Sequence, residues 1–188
     1  MSYIHSFAPI SSPSAHTLIL GSMPGKASLL AGQYYAHPQN AFWKIMETLL
    51  GAKEGLTYDD KTKLLTSHGI ALWDVMKSCT RESSLDSDIV ESSIATNDFE
   101  TFFNAHPQIG SIYFNGAKAE QAFRKYVLPG LSATEQLHFQ RLPSTSPAHA
   151  SLSFHKKREA WSVIASRAAL LGYVRIEPLK GKTKTTNR

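Results

Sequence analysis

A single cysteine, Cys79, stands among 188 residues. One thiol excludes an internal disulfide and any zinc or iron–sulfur centre built from several cysteines, and it agrees with a reducing compartment. The histidines do not make up the deficit, since no pair of them has zinc spacing on a helix, so no metal is expected. Long apolar runs are absent as well. No stretch is long enough to span a bilayer, and the opening Met-Ser-Tyr-Ile-His-Ser-Phe has no basic region leading into an apolar one. A cytoplasmic protein without membrane contact is the expectation. Two enzyme signatures are also missing. No Gly-x-Ser-x-Gly elbow makes a nucleophile of Ser144 or Ser146, and residues 21–28 lack the Gly-Lys-Ser/Thr ending of a phosphate loop.

What the chain does have is an even supply of apolar residues, 42% of the total, enough for one domain with a full core. The apolar run at 16–20 reads as a buried strand, and 70–75, 109–114 and 137–142 read as further strands. Between and after them, helical spacing predicts helices over 40–50, 58–67, 96–105, 117–126 and 154–171, with Thr96 capping the third and Gly51 and Gly172 closing the first and last. Residues 76–88 are polar and serine-rich and read as loop. Strands alternating with helices imply an α/β fold of three layers, with helices on both faces of a mostly parallel sheet and right-handed crossovers. Residues 1–178 make that single domain. Residues 179–188, with Lys182, Lys184 and Arg188, read as a basic, flexible tail. The net charge of +5 and the Lys156, Lys157, Arg158 cluster at a helix start favour a polyanionic partner.

In such a sheet a ligand lies beyond the carboxyl ends of the strands, so the loops at 21–40, 74–88, 115–116 and 143–150 form the candidate site. The first runs from Gly-Ser-Met-Pro-Gly at 21–25 to Tyr-Tyr-Ala-His-Pro-Gln-Asn-Ala-Phe-Trp at 34–43. Flat rings beside a carboxamide suit a planar heterocycle. The last, Pro-Ser-Thr-Ser-Pro-Ala-His-Ala at 143–150, is a hydroxyl cluster suited to phosphate oxygens.

Those two motifs, together with Asn115-Gly116 after a strand, resemble the uracil-DNA glycosylase superfamily, and within it the hypoxanthine-DNA (deoxyinosine) glycosylases. The resemblance runs from residue 16 to about 172 and implies a three-layer α/β/α sandwich around a four-stranded parallel sheet. It implies an enzyme that flips a deaminated nucleotide out of DNA and hydrolyses its N-glycosidic bond with water, monofunctionally and with no cofactor. The implied partner is damaged double-stranded DNA, with single strands as an alternative, and the implied state is a monomer. Hypoxanthine is the expected product. A uracil or G:U/T mismatch glycosylase is the alternative, and a non-catalytic DNA- or nucleotide-binding module on the same fold is a third reading.

The resemblance also distributes roles. Members of the superfamily often carry an Asp or Asn inside the first turn to hold the water, yet Ser22-Met23-Pro24 offers neither. Resemblance to the hypoxanthine branch implies that Asn40 takes the catalytic, water-positioning role. Gly21, Ser22 and Met23 bring backbone donors to the base, Asn115 reads its edge, and Phe42 is the stacking platform with Tyr35 as second choice. Ser144, Thr145, Ser146, Ala148 and His149 face the DNA, with Ala148 small where relatives carry a bulky wedge. His37 and Asp74 are supporting candidates. Plain structural alternatives stand beside these roles: Asn40 as a helix cap, Asn115 as a turn residue, Phe42 as helix core and Asp74 as a loop brace.

Overall fold

The computed structural model describes residues 2–132 and 134–172, so the expected tail at 179–188 and the domain end at 178 lie outside the described residues. In chain order the strands and α-helices are β1 (Ser2–His5), β2 (Thr17–Gly21), α1 (Lys26–Ala31), α2 (Phe42–Leu49), α3 (Tyr58–Ser67), β3 (Ile70–Asp74), β4 (Met76–Arg81), β5 (Ala95–Thr96), α4 (Phe99–Ala105), β6 (Ser111–Asn115), α5 (Ala117–Ala122), β7 (His138–Leu142) and α6 (Phe154–Leu170). The main sheet is parallel and four-stranded, in the order β3-β2-β6-β7. β2 is buried at every position. A strand buried along its whole length suits a parallel sheet covered on both faces.

Aromatic contacts define the covering layers. On one side Phe42 and Trp43 of α2 meet Trp161 of α6 and Tyr58 of α3. On the other, Trp73 of β3 packs on Phe99 and Phe102 of α4, and Phe123 after α5 touches both Phe99 and Phe114 of β6. Side chains alternate along β6, so Phe114 faces the α5 layer while Tyr113 lies near Arg167 of α6. The expected three-layer α/β/α sandwich is therefore the observed fold.

Local chemistry accounts for the helix starts. The Thr57 hydroxyl accepts from the Asp60 N–H at 3.2 Å, with Asp59 and Asp60 in the first turn of α3, and Ser153 caps α6 through the Lys156 N–H at 3.3 Å. The expected cap of the 96–105 helix is corrected. Thr96 belongs to β5, and Asp98 caps α4 by accepting from the Thr101 N–H at 3.0 Å.

The reading of 76–88 as loop is corrected too. Residues 76–81 form β4, which pairs antiparallel with β1 and β5 in a second, three-stranded sheet. Met76, Ser78, Cys79 and Arg81 are buried there. Polar composition conceals the strand because two of its inward residues, Ser78 and Arg81, carry hydrogen-bonding groups. α1 is a further element that the glycine-rich 21–40 stretch conceals.

Parallel register sets the site. Gly21 lies opposite Asp74, and Asn115 opposite Leu142, so four strands end at one edge. The ladder continues past the strands through Val75 N–H to the Gly21 carbonyl at 2.9 Å and Met76 N–H to the Ser22 carbonyl at 3.1 Å. The first turn is thereby fixed to the start of β4.

Candidate active site

That edge opens on a cleft of about 560 Å³. Gly21, Ser22, Met23, Tyr35, His37, Asn40, Asp74 and Asn115 line it, as do Ser144, Thr145, Ser146, Ala148 and His149. Of the nominated residues only Phe42 is missing from the lining.

Phe42 is fully buried at the start of α2, with its ring stacked on Tyr35 at a 4.2 Å centroid separation and 29°. Tyr35 lines the cleft, so it is the ring available to a base, and Phe42 backs it from the core. The expectation that Phe42 presents its ring to the cleft is corrected: of the two candidates, Tyr35 is the one that lines it. Two aromatics at the opening of a helix do not reveal which one faces out. Backbone conformation does: Tyr35 has φ 54°, the only positive value at a non-glycine residue among those described. A bulky residue in the left-handed region costs about 1–3 kcal/mol and persists where the surroundings over-determine it, often at functional sites.

Asn40 holds the entry to α2. Its Oδ1 accepts from the Phe42 N–H at 3.0 Å and its own N–H donates to the His37 carbonyl at 2.8 Å. The structural alternative is therefore present, but it occupies only the carbonyl end. The Nδ2 group and the second Oδ1 lone pair have no protein partner among the described residues, on a side chain that lines the cleft.

Asn115 is used in a comparable way. Its Oδ1 accepts from the Thr145 N–H and its Nδ2 donates to the Thr145 hydroxyl, each at 2.9 Å, which leaves one N–H and one lone pair. Thr145 is only 1% exposed, and its carbonyl accepts from the Ala41 N–H at 3.0 Å. Expected at the DNA surface, Thr145 is instead the anchor that ties the 143–150 loop to β6 and to the start of α2. Ser144 and Ser146 accept from the N–H groups of Ser146 and Ala148, both at 3.2 Å, so their hydroxyls shape the loop. Gly116, at φ 96°, admits Ser144, whose Cβ would lie 3.1 Å from any Cβ added there. Ala148 is exposed and His149 half-buried on the cleft side. His37 is exposed, and its Nδ1 accepts from the Gln39 N–H at 3.2 Å.

Asp74 is the most perturbed carboxyl at the site. It is 3% exposed, and its Oδ2 has no hydrogen-bond partner among the described residues. Burial pushes its pKa from 3.8 up to about 8; Asp86 adds to the rise and Arg81 opposes it. At neutral pH Asp74 is therefore mostly the uncharged acid. A Cβ at Gly21 would stand 2.3 Å from Asp74 Oδ1 and 2.9 Å from Tyr35 Oη, so only glycine fits there. The Tyr35 hydroxyl is buried without a hydrogen-bond partner among the described residues, with the Asn115 side chain close by. Burial and the neighbouring Asp74 hold its proton firmly.

Three supports escape sequence reading. Arg81, 3% exposed on β4, donates to the Pro24 carbonyl and so clamps the first turn from below. Ser22 donates to Asp86 at 2.7 Å, and the Lys26 N–H donates to Ser84 at 2.9 Å, joining that turn to the 84–87 loop. An arginine in a polar stretch gives no sign of burial. Only the pairing of β4 turns it inward.

These features coincide with a family match: residues 8–166 fit the family described as the Uracil DNA glycosylase superfamily. The chain belongs to the uracil DNA glycosylase superfamily. A hypoxanthine DNA glycosylase of Methanosarcina acetivorans is 33% identical over 159 residues, covering 84% of this chain and 95% of that protein. One from Methanosarcina barkeri is 34% identical over 114 residues, 60% of this chain and 71% of that protein. A G/U mismatch-specific uracil DNA glycosylase of Schizosaccharomyces pombe is 27% identical over 168 residues, 80% of this chain and half of that protein. Among solved structures, a Methanosarcina acetivorans chain assigned as a uracil DNA glycosylase superposes with a TM-score of 0.75 at 30% identity, over 89% of this chain and 99% of that one. As a superfamily member the chain has the expected DNA-glycosylase scaffold, with its cleft at the carboxyl ends of the strands.

Proposed function

We propose that this protein is a monofunctional DNA glycosylase that releases hypoxanthine from deoxyinosine in damaged double-stranded DNA. One observation carries the reading: the two carboxamides, Asn40 and Asn115, and Tyr35, on its left-handed backbone, line one cleft, in a chain whose curated relatives at 33% and 34% identity are hypoxanthine DNA glycosylases. The flipped base lies on Tyr35. Extrusion costs a few kcal/mol, less for a poorly paired base, and stacking on an aromatic ring returns about 1–3 kcal/mol.

Bond cleavage leaves positive character on the sugar and negative charge on the base. Asn40 orients the attacking water through its uncommitted amide, and the backbone of the 21–23 turn faces the departing base. A carboxamide is too weak a base to ionise water, so its contribution is position, with the proton lost late. The spare N–H and lone pair of Asn115 match the carbonyl and ring N–H of hypoxanthine. Uracil presents the same pair, which keeps the mismatch-type activity of the Schizosaccharomyces relative as a second reading.

Base release from otherwise identical duplexes carrying deoxyinosine, deoxyuridine or deoxyxanthosine tests the proposal. Deoxyinosine should be the fastest substrate. Faster release of uracil would replace the first reading with the second, and no release from any duplex would overturn both.

A further inference from the structure

Asp74 is left without a task by the water and stacking roles, although it is among the costliest groups in the protein to keep buried. Its carboxyl packs on Gly21, Oδ2 lacks a partner, and the residue lines the cleft beside Tyr35. Backbone pairing does not call for an ionisable side chain here, and Arg81, the nearby cation, already donates to the Pro24 carbonyl. The Asp74 backbone carbonyl accepts from Asn97 at 2.8 Å, and β3 pairs through backbone alone. A half-satisfied buried carboxyl is destabilising in the free protein, and such groups concentrate where a ligand completes them.

We propose that Asp74 is the acid of the base pocket, donating its carboxyl proton to an acceptor on the flipped base as the glycosidic bond breaks. This rests on the glycosylase reading and adds to it the group that neutralises the leaving base. As the bond to the sugar C1′ breaks, its electron pair goes to the base and the Asp74 proton moves onto an acceptor atom of the ring system. Water adds its oxygen to C1′, and the proton it loses restores the Asp74 acid. No other reactant is consumed. A carboxylate in the same place would repel the developing anion, so the activity requires the protonated form.

The charged and titratable groups around Asp74 agree. Tyr35 and Tyr34, from the first loop, keep their protons, raised by burial first and by Asp74 second. Asp86, from the 84–87 loop, adds negative potential, and Arg81 on β4 is the opposing cation. Gly21 supplies the space, because any side chain there would meet the carboxyl.

The test is the pH dependence of hypoxanthine release from a deoxyinosine duplex under single-turnover conditions, for wild type, Asp74→Asn and Asp74→Ala. Wild type should lose rate about tenfold per pH unit above a pH near 8, as the acid ionises. Asp74→Asn keeps a donor that cannot ionise, so its rate should be lower but free of that limb. Asp74→Ala should fall about 100-fold or more at neutral pH. Both variants should bind an abasic-site duplex like wild type, which separates chemistry from folding. An unchanged alkaline limb in Asp74→Asn, or an Asp74→Ala rate within about twofold of wild type, would overturn the assignment while leaving the glycosylase reading intact. Should wild type release nothing, the glycosylase reading is what fails. The Asp74 assignment then falls with it, whereas release that lacks the expected pH dependence overturns Asp74 alone.

Discussion

Asn40 joins a folding role to the water-positioning role proposed for it. Its Oδ1 fixes the start of α2 and its remaining amide faces the cleft. Asn40→Ala should therefore cost about 1 kcal/mol of stability and about 100-fold or more in base release, with binding to an abasic duplex retained. Melting curves and single-turnover release separate the two effects, and near-normal release would remove Asn40 from the mechanism. Gly21 carries a sharper steric demand. A methyl group there would sit 2.3 Å from Asp74 Oδ1 and 2.9 Å from Tyr35 Oη, so Gly21→Ala must displace both side chains. Misplacement on the scale of an ångström lowers rates by about 100-fold, which a release assay on the folded variant would read. Asp74 leaves a mark on stability as well. Its folded pKa, about 8, lies above the ordinary 3.8, so between those values the native state binds a proton that the unfolded chain has released. This contribution to stability is complete below pH 3.8, falls by about 1.4 kcal/mol per pH unit as pH rises, and is lost above about 8. Asp74→Asn should gain on wild type across that window in urea titrations at pH 5 and pH 8. An equal difference at the two pH values would show that Asp74 is not held as an acid.

At the scale of elements, the site is a set of loops tied to one another. Asn115 on β6 holds Thr145, Thr145 holds Ala41 ahead of α2, and Arg81 on β4 holds Pro24. Arg81→Met should release the first turn. Removing a buried charged donor from a bonded carbonyl costs about 1.5–3 kcal/mol, and the freed turn should lower base release as well. A variant as stable and as active as wild type would show that the turn holds itself. The parallel sheet and its helices are legible in the sequence because β2, β3 and β6 are each built around a short apolar run and α2 and α6 bury regularly spaced side chains. β1, β4 and β5 are not, since their inward residues include Ser78 and Arg81 and their partners are distant along the chain. Motif position makes Asn40 and Asn115 legible. It does not separate Tyr35 from Phe42, because that choice depends on the left-handed backbone at Tyr35, nor does it show that the Thr145 hydroxyl turns inward.

Across the whole molecule the +5 charge becomes specific only when each cation is placed. The basic cluster at the start of α6 divides in two. Lys156 is exposed in the first turn of α6, whereas Lys157 is 5% exposed, with Nζ donating to the Ser146 carbonyl at 3.2 Å. Burial lowers the pKa of Lys157, and its charge is spent on a loop carbonyl within the protein. The two neighbours should therefore behave differently in DNA binding. Each phosphate neutralised adds about 0.9 to the slope of log affinity against log salt, so Lys156→Ala should flatten that slope by about 0.9 if this edge of the cleft faces the duplex. Lys157→Met should leave the slope unchanged and lower stability by about 1–3 kcal/mol, since the Ser146 carbonyl loses its partner. Fluorescence anisotropy with a deoxyinosine duplex at several salt concentrations, paired with denaturant titrations of both variants, measures both quantities. An unaltered slope in Lys156→Ala would move the DNA track away from α6 and toward the opposite rim, where Lys26 is the exposed cation lining the cleft.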